Sequence, residues 1–324
     1  MVGSIVAEQD VPAVLVPHVL VVIPTWNRPA DVGRCLKSLA SVAYPSWELL
    51  IVDQSDDDAT QRLAETYRSC LPKLTHQRVP ERGLCRARNL GLERAGADIV
   101  AYIDDDCTVT SDWLAEVTAA FRRHPAATLV FGSVHAAPHD SREVVVPAMV
   151  FDRERTVAGS FTPAESGMGA SMYLWPARSL HRQHFDVHLG AGTRWAAAEE
   201  RDFVCRLIRA GDTVVLTPAI QVWHHGSRSL KEGAAGRLFR GYALAIGAAD
   251  MKMIRCGDWA SLWRALSRIC RYVITVLSAL ATGRRPLGLG ALVMYVRGLA
   301  ESFMIPVDRV RCLYVTDRPA AKRR

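Results

Sequence analysis

The stretch Ala97-Asp98-Ile99-Val100-Ala101-Tyr102-Ile103-Asp104-Asp105-Asp106 decides how the rest of the chain is read. Its apolar run, residues 99–103, has the length and β-branched content of a strand buried on both faces. Like charges as close as the three carboxylates that follow raise one another's pKa and resist ionisation, so such a strand end needs a cationic partner. One reading is an acidic turn before a helix capped by Ser111. The other is a divalent-cation site at the carboxyl end of a strand. Its hard oxygen ligands suit Mg2+ or Mn2+, ions that also hold phosphate oxygens.

The same grammar repeats upstream. Residues 19–24 read as a buried strand stopped by Pro24, and Thr25-Trp26-Asn27-Arg28-Pro29 as a polar turn. Val32, Cys35, Leu36 and Leu39 recur at helical spacing, predicting a helix over 31–42. A second strand over 47–52 runs into Asp53 and the acids 56–58, followed by a helix over 59–70 and a short strand over 74–79. A helix over 83–95 carries Arg86, Arg88 and Asn89. Strand–helix alternation predicts an α/β fold: a doubly wound, mostly parallel sheet with helices on both faces. Ligands of such sheets sit beyond the carboxyl ends of the strands, where residues 25–28, 53–58 and 104–106 all fall. Neither a dinucleotide fingerprint nor a phosphate-binding P-loop pattern occurs.

Downstream the pattern predicts a helix over 113–123, a strand over 128–135, an irregular segment over 136–168, a strand over 169–175 and a short helix over 176–182. A glycine loop, Gly190-Ala191-Gly192-Thr193-Arg194-Trp195, leads to a helix that opens with Glu199 and Glu200, acids favoured at a helix N-terminus. Short strands over 213–216 and 220–223 precede His224-His225, and from Ser227 the chain turns helical.

With 324 residues, 49% hydrophobic and 23% charged, the chain has the composition of a globular protein of one large or two smaller domains. Its 8 cysteines form no C-x-x-C pair, which points to reduced thiols in a cytosolic setting. Residues 1–17 lack the basic and apolar regions of a signal peptide, and no uninterrupted apolar run reaches membrane-spanning length. Charge is divided unevenly: residues 226–324 hold 18 Lys+Arg against 6 Asp+Glu, whereas residues 1–225 hold 22 against 27. Such a tail is expected to meet something anionic, and no nucleic-acid-binding motif is present, so nucleic acid is not an expected partner. Leu262, Leu266 and Ile269 with Arg264, Arg268 and Arg271 between them predict a basic amphipathic helix. It could rest on an anionic membrane, or pack its apolar stripe on the body with the arginines in water.

Four pieces stand in order: Val22-Ile23-Pro24-Thr25-Trp26-Asn27-Arg28; Ile51-Val52-Asp53; Arg88-Asn89-Leu90-Gly91 leading to Asp104-Asp105-Asp106; and Glu199-Glu200-Arg201-Asp202. Together they resemble the family 2 inverting glycosyltransferases of the GT-A fold. The resemblance covers a catalytic domain over about residues 18–228, with a nucleotide-sugar half over about 18–110 and an acceptor half over about 111–228. A basic helical region, 229–324, follows. It implies that Pro24, Thr25, Asn27, Arg28 and Asp53 cradle the nucleotide, with Arg88 and Asn89 on the diphosphate side. It also implies that Asp104 leans to the ribose, Asp105 serves orientation or sugar contact, and Asp106 holds Mg2+ or Mn2+ together with Asp104 and His224. His225 stands as an equal neighbour. Glu200 is then the base and Glu199 its neighbour. The implied activity is transfer of a sugar from a nucleoside-diphosphate sugar, UDP or dTDP favoured, to an acceptor hydroxyl, in cell-surface polysaccharide or glycolipid synthesis. The acceptor is a glycan, lipid-linked or a small molecule, and the enzyme cytoplasmic or peripheral at the inner face of the membrane. A sugar-nucleotide nucleotidyltransferase is the alternative, but nothing in such an enzyme needs Glu199-Glu200.

Overall fold

The computed structural model describes residues 16–315 except 95, 160–165, 180–183, 230–233, 284–285 and 287. The first half follows the predicted alternation. Strands β1 (Val19–Thr25), β2 (Trp47–Asp53), β3 (Leu74–Arg78) and β4 (Ile99–Tyr102) lie parallel in the order β3-β2-β1-β4. Helices α1 (Pro29–Leu39), α2 (Ala59–Thr66) and α3 (Leu84–Glu93) connect them. Every residue of β1 and β4 is buried, as expected of strands covered on both faces. α1 buries Val32, Cys35, Leu36 and Leu39, the four positions whose spacing predicts it.

Beyond β4 the sheet becomes mixed. β5 (Cys107–Val109) and α4 (Trp113–Arg123) precede β6 (Ala127–Ala136). Two strands of two and three residues, β7 (Val144–Val145) and β8 (Arg155–Val157), lie in the segment expected to be irregular, too short to leave a period in the sequence. β9 (Met172–Leu174) inserts antiparallel between β4 and β6. The strand expected over 169–175 is thus only half formed. Residues 169–171 make a 3₁₀ turn, because the Gly169 N–H donates to Glu200 Oε1 (3.1 Å) instead of joining the ladder. Of the short helix expected over 176–182, a 3₁₀ turn over Pro176–Arg178 is present, and residues 180–182 lie outside the described residues.

After α5 (Glu199–Arg209), the two strands expected over 213–223 are one, β10 (Thr213–His224). It carries an irregularity in register between Thr217 and Gln221, around Pro218, which has no N–H for the ladder. β10 runs parallel to β6 and takes β8 and β5 antiparallel, so that His224 faces Cys107 across the edge pair. That pairing sets an imidazole from the last strand of the large sheet beside the acidic triplet that follows β4.

β11 (Arg228–Ser229), paired with β7, leads to α6 (Ala234–Arg255), α7 (Trp259–Ala281), α8 (Gly288–Phe303) and a hairpin of β12 (Val307–Asp308) and β13 (Leu313–Tyr314). α6 and α8 touch backbone to backbone: a Cβ on Gly298 would lie 2.1 Å from the Leu244 carbonyl oxygen. Buried charges join this region to the body. Lys252 Nζ of α6 lies 2.5 Å from Asp186 and 2.8 Å from Asp202, and Arg201 of α5 reaches Asp250 at 2.6 Å.

The orientation of α7 differs from the expectation that its apolar stripe packs on the body with the arginines in water. Arg264 turns inward to Asp258 (2.8 Å) and Arg268 toward Asp250 (3.8 Å), whereas Trp259, Trp263 and Leu266 are exposed. Buried carboxylates on α6 and at the α7 N-cap attract the two guanidiniums, and the apolar residues take the opposite face. Among the described residues no helix is long and apolar enough to cross a membrane.

Candidate active site

Parallel register aligns the carboxyl ends of β1, β2 and β4, with Thr25 level with Asp53. The three carboxylates after β4 find three different sets of partners. Asp104 lies 3.5 Å from Arg88. Asp105 accepts from Thr25 Oγ1 (2.8 Å) and from Arg28 Nη1 (3.3 Å). Asp106 accepts from the same Arg28 nitrogen (3.3 Å) and lies 3.2 Å from His224 Nε2. The cationic partner that the sequence demands is therefore two arginines and an imidazole. Burial pushes the Asp105 carboxyl up to about 7. For Asp106 burial acts the same way, but the His224 hydrogen bond and charge, together with Arg28, outweigh it and hold the group below the ordinary carboxylate range.

The donors around Asp106 fit a divalent cation. Oxygen, nitrogen and sulfur atoms of Asp106, Cys107 and His224 lie within 4.8 Å of one another. The backbone carbonyl of Pro147 accepts from His224 Nδ1 (3.0 Å), which fixes the ring with Nε2 facing Asp106. Gly226 closes the other side, where a Cβ would lie 2.1 Å from Asp106 Oδ2 and 2.9 Å from His224 Nε2. Burial and the neighbouring Asp104 and Asp106 raise the Cys107 thiol well above its usual value, so the site offers carboxylate and imidazole rather than thiolate. His225 is turned away, with its Nε2 3.0 Å from Thr108 Oγ1, which leaves His224 as the histidine of the site. Asp104, held toward Arg88, lies outside this cluster.

Across from the triplet, α5 begins after Ala198, whose φ of 71° is a left-handed conformation that costs a non-glycine residue about 1–2 kcal/mol. That turn sets Glu199 and Glu200 at the helix mouth. Arg88, 1% exposed, lies between them and the triplet, 3.3 Å from Glu200 and 3.8 Å from Glu199. Burial works against its charge, but Glu200, Asp104 and Glu199 together keep it more firmly protonated than a free arginine. Burial and the Glu200 charge raise the Glu199 carboxyl above the ordinary carboxylate range, which favours its protonated form. Glu200 has one oxygen fixed by Arg88 and the Gly169 amide and is the less buried of the two.

Two clefts meet at this point. One, of about 340 Å³, is lined by Pro24, Thr25, Arg28, residues 104–106 and His224. The other, of about 500 Å³, holds Glu199 and Glu200, and the two share Asp104, Ala191, His224 and Arg228. Four predicted residues do not line either cleft: the buried Arg88 described above, and Asn27, Asp53 and Asn89. Asn27, at φ 54°, bonds through its backbone N–H to Ser55 Oγ (2.8 Å) and through its side chain to Asp56, holding the β1 and β2 loops together. Asp53 is fully buried, accepting from the Ser55 N–H (2.9 Å) and lying 2.8 Å from His76. Asn89 clasps the Phe185 backbone at both ends of its amide, 2.9 and 2.8 Å.

Sequence reasoning missed several lining groups. Trp26 stacks under the Arg82 guanidinium (4.4 Å to the ring centre) in the first cleft. Arg228 lies at the junction, and Tyr242 and Arg268 of the C-terminal helices line the second cleft. Only Trp26, inside the quoted turn, carried any signal in the sequence.

The family model described as Glycosyl transferase family 2 matches residues 20–182. Succinoglycan biosynthesis protein ExoM of Rhizobium meliloti is 27% identical over 212 residues, 64% of this chain and 66% of ExoM. Other curated relatives are matched over smaller shares of their length, such as 33% and 38%. Two solved structures share the fold. Mannosyltransferase PcManGT from Pyrobaculum calidifontis, in complex with GDP-Man and Mn2+, has a TM-score of 0.57 at 20% identity, covering 91% of this chain and 85% of that one. S. aureus TarS 1-349, in complex with UDP-GlcNAc, has a TM-score of 0.53 at 18% identity, covering 71% and 66%.

Proposed function

Because the chain belongs to glycosyl transferase family 2, we propose that it is an inverting, metal-dependent glycosyltransferase that moves a sugar from a nucleoside-diphosphate sugar to an acceptor hydroxyl in polysaccharide or glycolipid synthesis. The observation that carries this reading is the Arg88 bridge. One buried guanidinium lies within 3.5 Å of Asp104 in the donor cleft and of Glu200 in the acceptor cleft, so donor and base are held in one frame.

In this reading Glu200 takes the proton from the acceptor hydroxyl as its oxygen attacks the anomeric carbon. The new C–O bond forms on the face opposite the diphosphate, which leaves with the electron pair of the broken bond, and the anomeric configuration inverts. Glu199, favoured in its protonated form, cannot compete as base but can donate a hydrogen bond to the acceptor. Asp106 and His224 would hold Mg2+ or Mn2+, with Asp104 at its edge. The cation would offset the charge growing on the departing diphosphate. Arg28 and Arg228 border the same space and suit the diphosphate oxygens, and the Trp26–Arg82 stack offers a platform for the base. Asp53 and Asn27 support that platform from behind rather than from within the cleft. UDP or dTDP is the favoured carrier on the family resemblance alone, since one fold relative holds UDP-GlcNAc and the other GDP-Man. Peripheral contact of the basic C-terminal region with an anionic membrane at the inner face belongs to the same reading.

A panel of nucleotide sugars, assayed for divalent-dependent release of the nucleoside diphosphate, tests it. At least one donor is expected to be turned over, EDTA to abolish the release, and Asp106→Ala to lose both metal-dependent nucleotide binding and turnover. Full activity of Asp106→Ala would remove the metal site. Failure of every donor both to react and to raise the melting temperature would remove the activity.

A further inference from the structure

α7 carries a long apolar face on the side turned away from the body. Its inward side is mixed: Ser261 and Ala265 are buried, Arg264 and Arg268 pair with Asp258 and Asp250, and Ile269 and Tyr272 pack against the cluster of Ala243 and Tyr295. Its outward side carries Trp259, Trp263, Leu266, Ile274, Leu277 and Leu280, between 47% and 78% exposed. The intervals between these residues keep all six within one face of an α-helix, and no charged side chain falls in the stripe. From Trp259 to Leu280 it runs about 32 Å at about 1.5 Å per residue. α8 repeats the arrangement, with Leu289, Val293, Val296 and Phe303 exposed opposite the buried Tyr295, Gly298 and Ser302. An uncovered apolar face of this length marks an interaction surface.

We propose that the outer face of α7 lies in the headgroup region of an anionic bilayer, holding the acceptor cleft at the lipid surface. Charge favours a membrane over a second copy of the chain. Residues 226–324 carry 18 basic against 6 acidic residues, and two like-charged tails would repel. Arg240 and Arg271 are exposed on α6 and α7, suited to anionic headgroups at the rim. Tryptophans at one end suit the boundary between headgroups and acyl chains. The helix lies on the membrane rather than spanning it, because Arg264 and Arg268 are committed to inward ion pairs. Arg268 also lines the cleft that holds Glu200, so a membrane against the outer face of α7 lies about one helix diameter, about 10 Å, from that cleft. This rests on the glycosyltransferase reading only for the meaning of the cleft.

Flotation of the full chain with vesicles of phosphatidylcholine alone, or with about one third phosphatidylglycerol, tests the proposal, with tryptophan quenching by brominated lipid as a second readout. The wild type is expected to float with anionic vesicles and to be quenched. Trp263→Ser combined with Leu277→Ser is expected to bind at least ~10-fold more weakly, with an unchanged melting temperature because both sites are exposed. Nucleotide binding in the absence of lipid, expected to be equal in both proteins, keeps this test separate from that of the activity. The proposal is overturned if the wild type stays unbound at low salt, if the variant floats equally well, or if the wild type is a dimer that the two substitutions dissociate.

Discussion

Lys252→Met removes one charge from the junction between the C-terminal helices and the catalytic body while keeping the length of the side chain. Lys252 is fully buried, 2.5 Å from Asp186 and 2.8 Å from Asp202, both of which are buried too. Deleting one partner of a buried ion pair typically costs about 3–5 kcal/mol, because the other charge is left without compensation. Here part of the compensation survives. Asp186 still accepts from the N–H groups of Tyr314 (2.9 Å) and His188 (3.0 Å), and Asp202 from Arg206 Nε (2.9 Å). The lower end, about 3 kcal/mol, is therefore expected, or about 1 M off the urea midpoint at a slope of about 3 kcal/mol per M.

The pH dependence carries the sharper test. Burial raises the pKa of Asp186, but Lys252 and the hydrogen bonds outweigh it and hold the group below the usual range. A depressed carboxylate contributes stability above its unfolded pKa, about 3.9, and loses it as pH falls toward the folded value. Without the lysine, protonating the carboxylates relieves buried charge instead. The gap between wild type and variant should thus be widest near pH 7 and narrow toward about pH 4. Urea unfolding across that range measures it. A cost below about 1 kcal/mol, or a gap that does not vary with pH, would refute the claim that a charged lysine joins the two parts.

Two further predictions concern the site. Glu200→Gln should bind donor normally and turn over at least ~100-fold more slowly, while Glu199→Gln should keep most of its rate because the protonated form of that carboxyl is favoured; the reverse order of rates would exchange the two roles. Gly226→Ala places a methyl group 2.1 Å from Asp106 Oδ2, and should weaken Mn2+-dependent nucleotide binding by ~10-fold or more; unchanged affinity in a titration would mean that no cation sits in that cradle.

Much of the catalytic half was legible because its signals are local. The strands at 19–25, 47–53 and 99–102 are single buried runs, and acids that directly follow such a run stand at the strand end wherever the sheet goes. The limits of that reading are also physical. Asn27, Asp53 and Asn89 lie in the right segments, but alternation and spacing do not say whether a side chain faces a cleft or a neighbouring backbone. Each of the three side chains accepts from a backbone N–H: Asn27 from Asp56, Asp53 from Ser55 and Asn89 from Phe185.

What the sequence by itself determined is the order of the sheet elements, the acidic strand ends and the family resemblance, since all three depend on residues near one another along the chain. Tertiary structure alone decided which charge meets which. Arg88 reaches Glu200 across 112 positions, and His224 reaches Asp106 only because β10 pairs antiparallel with β5 at the sheet edge. It also decided the face of α7. An amphipathic pattern says that one side differs from the other, and only Asp250 and Asp258, waiting on the inner side, determine that the arginines turn in and the tryptophans turn out.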